Sequence, residues 1–301
     1  MHPTPRAATT GLLLAMVAAV GFSFKAILVK LAYMVPSAGA LDAVTLLSLR
    51  MLYSLPAFVW IAVRESRDKP PLTPRQWFVI VTLGVLGYYA SSLFDFIGLA
   101  YISAGLERLV LATYPTLTLI LSVVLFGEKL TRRKLAACAL CYLGIGAAFM
   151  HDLGSRGGDD AVWIGSGFVL IAAISYAAYL VGAGRMIGQI GTQRFTAFAM
   201  LVSTAATLVH FLAVNPIVAL AQPLHTQWLA MAMAAFSTVI PVFALTAAIR
   251  RIGAPNSALI GSTGPLITIL LGWWLLGEPL SLSQLGGMLL VAAGVMLIGK
   301  R

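Results

Sequence analysis

Ten long apolar runs separated by short polar links make up this chain, and that pattern leaves few folds open. The runs are 11–32, 43–63, 77–99, 103–125, 133–150, 163–185, 194–214, 226–247, 254–276 and 282–299. About 20 mainly apolar residues cross the hydrocarbon layer as a helix, and only helices or closed barrels satisfy their own backbone polar groups there. A barrel needs alternating segments of about ten residues, which these unbroken runs are not. Only 10% of the 301 residues are charged and 60% are hydrophobic, whereas soluble domains carry about 25% charged residues. The expectation is an all-α integral membrane protein with ten transmembrane helices. The first run is longer than the roughly 7–15 apolar residues of a signal-peptide core, so it reads as a retained helix.

The net charge of +10 does not point to nucleic acid, because the basic residues sit in short clusters between apolar runs. Arg6; Arg64, Arg67, Lys69 and Arg75; Lys129, Arg132, Arg133 and Lys134; Arg185 and Arg194; Arg250 and Arg251; and Lys300 and Arg301 all fall on alternate connections. The opposite connections hold Arg156 and, at a helix end, Lys30. Positive charge marks the cytoplasmic side, so both termini are expected in the cytoplasm and the chain in the cell (inner) membrane, with the lipid bilayer as its surroundings. Cys138 and Cys141 are too few for a metal site or a disulfide scaffold.

Self-similarity organises the runs. "YPTLTLILSVVLFGEKL" (114–130) lies over "GPLITILLGWWLLGEPL" (264–280) without a gap. Thr113 meets Thr263, Pro115 meets Pro265, Thr118 meets Thr268, and Gly127-Glu128 meets Gly277-Glu278. Leucine matches come cheaply between membrane helices; these do not. The expected domains are a first five-helix repeat over 1–152, a polar link over 153–162 and a second repeat over 163–301. Five spans per half invert the second copy, and inverted repeats enclosing a site near the midplane are a plan of secondary transporters. No nucleotide-binding loop of the form GxxxxGK[ST] occurs, and no metal or other cofactor is expected.

With these residues in view, the chain resembles the EamA family of the drug/metabolite transporter superfamily. Each half closes with an apolar helix, a Pro in its middle and an "LFGEKL" or "LLGEPL" ending. The resemblance implies a bundle in which spans 1, 3, 4, 6, 8 and 9 surround a central cavity. It also implies export or exchange of small metabolites, amino acids among them.

Five charged residues fall well within spans, away from the basic clusters at their ends: Lys25, Arg50, Asp95, Glu107 and Arg108. A charge at mid-membrane costs roughly 2.5–3.5 kcal/mol on insertion scales and faces a cavity or a partner. At about 1.5 Å per residue, all five belong to the outer half of the first repeat. Glu107 and Arg108 align with Ser257 and Ala258, and Lys25 with Tyr179. The charges therefore break the symmetry, as recognition of an asymmetric cargo requires. If Asp95 and Glu107 neutralise two cations, a third is left for the carboxylate of an anionic or zwitterionic metabolite. Replacing Lys25 with Ala or Gln is then expected to abolish transport with folding intact. The structural alternative is an ion pair, such as Asp95 with Arg108, or an interface anchor. Neighbours on a helix point about 100° apart, so Glu107 and Arg108 are not expected on one face.

Tyr114, Tyr176 and Tyr179 are further candidate substrate-binding residues, and His210 is a weaker candidate for proton coupling. Pro115, Pro241 and Pro265 are candidate helix breaks that free backbone groups. An exporter of cationic or lipophilic drugs is the transporter alternative, though the deepest charges are basic. An intramembrane enzyme would need paired Asp, a metal motif or a Ser/His arrangement at matching depth, and a sensor would bring an extramembrane domain; neither is found. Whether the protein is a monomer or a homodimer is left open by the sequence.

Overall fold

The computed structural model describes residues 5–35, 41–127, 132–155, 160–261 and 263–299. Glu128, Lys129, Leu130, Arg156, Lys300 and Arg301 lie outside them. The described chain forms thirteen α-helices: α1 (Pro5–Met34), α2 (Ala43–Ser66), α3 (Pro74–Gly84), α4 (Ser91–Leu99), α5 (Ala104–Leu111), α6 (Tyr114–Phe126), α7 (Arg132–Ser155), α8 (Asp160–Ile190), α9 (Thr192–Val214), α10 (Leu224–Ala234), α11 (Ile240–Gly261), α12 (Gly264–Leu276) and α13 (Leu282–Gly299). Wider π-helical turns, Val85–Ala90 and Ala235–Val239, join α3 to α4 and α10 to α11. Among the described residues seven helical stretches are long and apolar enough to cross a membrane, and three shorter apolar helices accompany them.

Local chemistry sets these boundaries. Asp42 starts α2 by accepting from the amides of Val44 at 2.8 Å and Thr45 at 2.9 Å, which satisfies donors that the first turn leaves open. Thr73 and Gln76 form a reciprocal capping box before α3, with Pro74 in the first turn, where its missing N–H costs nothing. Gly127 and Gly277 end α6 and α12 with φ of +67° each, a left-handed conformation that glycine adopts without Cβ strain.

The apolar run 103–125 is two helices, interrupted at Ala112 and Thr113, and the run 254–276 is interrupted before Gly264. Pro115 and Pro265 occupy the first turns of the helices that follow. Thr113 Oγ1 donates to Val110 O at 2.8 Å, and Thr263 Oγ1 to Ile260 O at 2.7 Å, the same device at matching positions. One expected link is absent. Residues 248–253 continue α11, because Ala247–Ile252 offers no helix breaker and Arg251 donates to Ala247 O at 2.9 Å. In the first half Ser103 caps a new helix at the corresponding place.

The packing is that of a protein in lipid. Phe78, Val124, Trp274 and Leu282 are exposed, while Arg50, Asp95, Glu107 and many Ser and Thr residues are buried. α1 packs on α11 and α12, α2 on α9, α4 and α6 on α8, and α7 on α13. At the last contact a Cβ on Gly144 would meet Gly287 O, so the two backbones touch as small residues allow. The Cys141 thiol donates to Val291 O at 3.7 Å beside it.

Candidate functional site

The five charges predicted within spans come together where α1, α2, α4 and α5 meet. Lys25 Nζ on α1 lies 2.6 Å from Asp95 Oδ2 on α4 and 3.7 Å from Glu107 Oε1 on α5. The two carboxyl side chains are 1% and 0% exposed, whereas the Lys25 side chain is 17% exposed. The acids are therefore sealed, and Lys25 is the member of this triad whose side chain keeps some exposure. Asp95 pairs directly with Lys25 and not with Arg108, which acts on it only at longer range.

Arg108 is held by neutral oxygens. Its Nε donates to Thr268 Oγ1 of α12 at 3.2 Å, and its Nη2 donates to Phe22 O of α1. Ser23 Oγ ties the same two helices by donating to Gly264 O at 3.0 Å. Arg50 Nη2 donates to Ser92 Oγ at 3.0 Å, and its guanidinium lies 4.9 Å from the centre of the Phe96 ring, an attraction of cation to ring face. Phe96 O in turn accepts from Tyr33 at 3.0 Å. Span 2 thus supplies a charge to the cluster, although the family resemblance leaves that span out of the cavity wall.

Both Glu107 and Arg108 face protein because α5 is short and enclosed, with Ala104 to Glu107, Leu109 and Val110 all buried. The two neighbours reach different partners, Glu107 toward Lys25 and Arg108 toward Thr268 and Phe22. Glu278 explains how so short a helix is fixed: its Oε1 accepts from the first α5 amide, Ala104 N, at 2.9 Å. A carboxylate at a helix N-terminus meets unpaired N–H groups and the positive end of the dipole. Sequence reasoning marked Glu278 as half of a repeated motif and missed this task.

The tyrosines form a second cluster. Tyr114 meets Tyr176 edge-on with ring centres 5.2 Å apart, Tyr176 stacks on Tyr179 at 5.6 Å, and the Tyr88 and Tyr179 hydroxyls are 3.0 Å apart. Tyr114 lies within electrostatic reach of Arg108, which joins the two groups. Ser175 Oγ donates at 2.7 Å to Leu86 O in the first π turn, so that turn is anchored to the tyrosine-bearing helix. His210 belongs elsewhere: its Nδ1 bonds the Tyr89 hydroxyl at 2.8 Å. Pro241 follows directly on the second π turn and lies against Gly21 of α1.

Comparison with known proteins completes the picture. The profile of the EamA-like transporter family matches residues 9–150 and again 163–300. The uncharacterized transporter YcbK of Bacillus subtilis is 32% identical over 96% of this chain and 94% of its own length. An S-adenosylmethionine/S-adenosylhomocysteine transporter of Chlamydia trachomatis is 27% identical over 79% of this chain and 72% of its own. A crystal structure of another protein superposes with a TM-score of 0.63 at 19% identity, covering 96% of each chain, a likeness of fold alone.

Proposed function

Because the chain belongs to the EamA-like transporter family, we propose that it is a secondary transporter that exports or exchanges small anionic or zwitterionic metabolites such as amino acids. It is a multi-pass membrane transporter and not an enzyme. In this reading ten spans form two oppositely oriented five-helix halves, 1–152 and 163–301, and both termini face the cytoplasm across the inner membrane. Rocking of the halves around a central cavity exposes the cargo to each side in turn. The matched π turns, threonine caps and left-handed glycines support the repeat.

The observation that carries the cargo class is the charge excess in one cluster. Three cations, Lys25, Arg50 and Arg108, gather with two acids, and both acids are sealed while Lys25 keeps some exposure. In this reading a cargo carboxylate binds at Lys25 and the half-buried Arg108, whose side chains keep exposure that the two acids lack. Tyr114, and Tyr176 in edge-on contact with it, are proposed to bind the rest of the cargo. S-adenosylmethionine and S-adenosylhomocysteine, named for the chlamydial relative, each carry an amino-acid carboxylate, and such a head group fits this reading. Cations or lipophilic drugs would meet an ammonium, which disfavours them.

The test is exchange in proteoliposomes across amino acids, other carboxylates and cationic amines. Saturable exchange of carboxylate-bearing compounds is expected, and exchange of cationic amines alone would overturn the reading.

A further inference from the structure

Asp95 and Glu107 approach one and the same ammonium, Lys25 Nζ, at 2.6 Å and 3.7 Å. Among the described residues no neutral donor reaches any of their four carboxyl oxygens, and both side chains are sealed from solvent. Lys25 supplies one ammonium, close to Asp95 and more distant from Glu107. Two ionised carboxylates sealed around a single ammonium repel, and in such a site one acid keeps its proton.

We propose that Asp95 and Glu107 together form a proton-binding site, in which Glu107, the acid farther from Lys25, carries the proton and Asp95 is the counterion of Lys25. The other charged groups facing the pair are Arg50 from α2 and Arg108 from α5, with Glu278 bound to the start of α5. Both arginines hydrogen-bond neutral oxygens, whereas Lys25 is in ion-pair contact with both acids and is the ammonium that cargo and acid pair share. When a cargo carboxylate takes Lys25 from Asp95, a proton drawn from solvent onto Asp95 restores the local charge balance. One anion and one proton are then bound together. This coupling rests on the anionic-cargo reading, whereas the proton site does not.

The test therefore contains no cargo. Infrared spectra of the full-length protein in lipid nanodiscs are recorded in H2O and D2O as the pH is raised through neutrality. Exposed carboxyls have ionised by then, with ordinary values of about 4. The expected result is a protonated-carboxyl C=O band that persists at neutral pH, shifts in D2O, and is lost in both Glu107→Gln and Asp95→Asn. No such band in the wild-type protein overturns the proposal, whatever the variants do. A band that survives in either variant also overturns it, because the proton then does not belong to the pair. Neither outcome depends on what the protein carries, so failure of the anionic-cargo reading is recognised separately, by exchange.

Discussion

Replacing Lys25 by Gln removes the ammonium from between two sealed carboxyl groups, and the cost follows from the geometry. At the 2.6 Å contact with Asp95 the attraction is direct. Unit charges about 4 Å apart at an effective dielectric of about 20 attract by about 4 kcal/mol. Removing one partner of a buried pair costs about 3–5 kcal/mol, because the other charge is left uncompensated. Lys25→Gln should therefore destabilise the protein by that amount, contrary to the expectation from sequence that folding survives intact. Asp95→Asn alone should cost less, since Glu107 remains as a counterion at 3.7 Å. The double variant should recover much of the loss, with a coupling of up to about 3 kcal/mol. Unfolding free energies of the four proteins in mixed micelles close the cycle. Additivity within about 0.5 kcal/mol, the behaviour of independent sites, would refute the ion pair.

Other consequences are as specific. Glu278→Ala frees the amide of Ala104 and should cost about 0.5–2 kcal/mol, the range for a lost helix cap, with weaker transport because α5 carries Glu107 and Arg108; thermal stability and exchange rate check it. Gly144→Val places side-chain atoms on the Gly287 backbone and should lower the unfolding temperature by forcing α7 from α13, whereas the same change at Gly146, where nothing lies within 4 Å of a Cβ, should not. Arg108→Lys keeps the charge but cannot span Thr268 and Phe22 with a planar fork, so exchange should fall while Arg50 and Lys25 contacts persist; cargo affinity measured by exchange decides.

The repeated features were legible in sequence because each is a local device: a threonine that caps, a proline that opens a helix, a glycine that closes one. They recur as Thr113 and Thr263, Pro115 and Pro265, and Gly127 and Gly277, each doing the same job in both halves. The presence of charges in the spans was equally plain, since a charge among apolar residues needs no neighbour to be noticed. Their pairing was not. Lys25 and Asp95 are brought together by helix packing that no spacing encodes, and Arg108, the partner suggested for Asp95, is taken up by Thr268 and Phe22. Glu278 reaches α5 from the other half of the chain for the same reason. The continuous α11 escaped notice because two arginines read as a link between spans, yet arginine is a good helix former and nothing in that stretch stops the helix.

The claim on which the account turns is that a cargo carboxylate binds at Lys25. Exchange by the wild-type protein in proteoliposomes, comparing a transported carboxylate with its primary amide, tests this in one measurement. The amide keeps the shape and loses the charge. The account predicts that the carboxylate exchanges and the amide is rejected; equal exchange of both would contradict it.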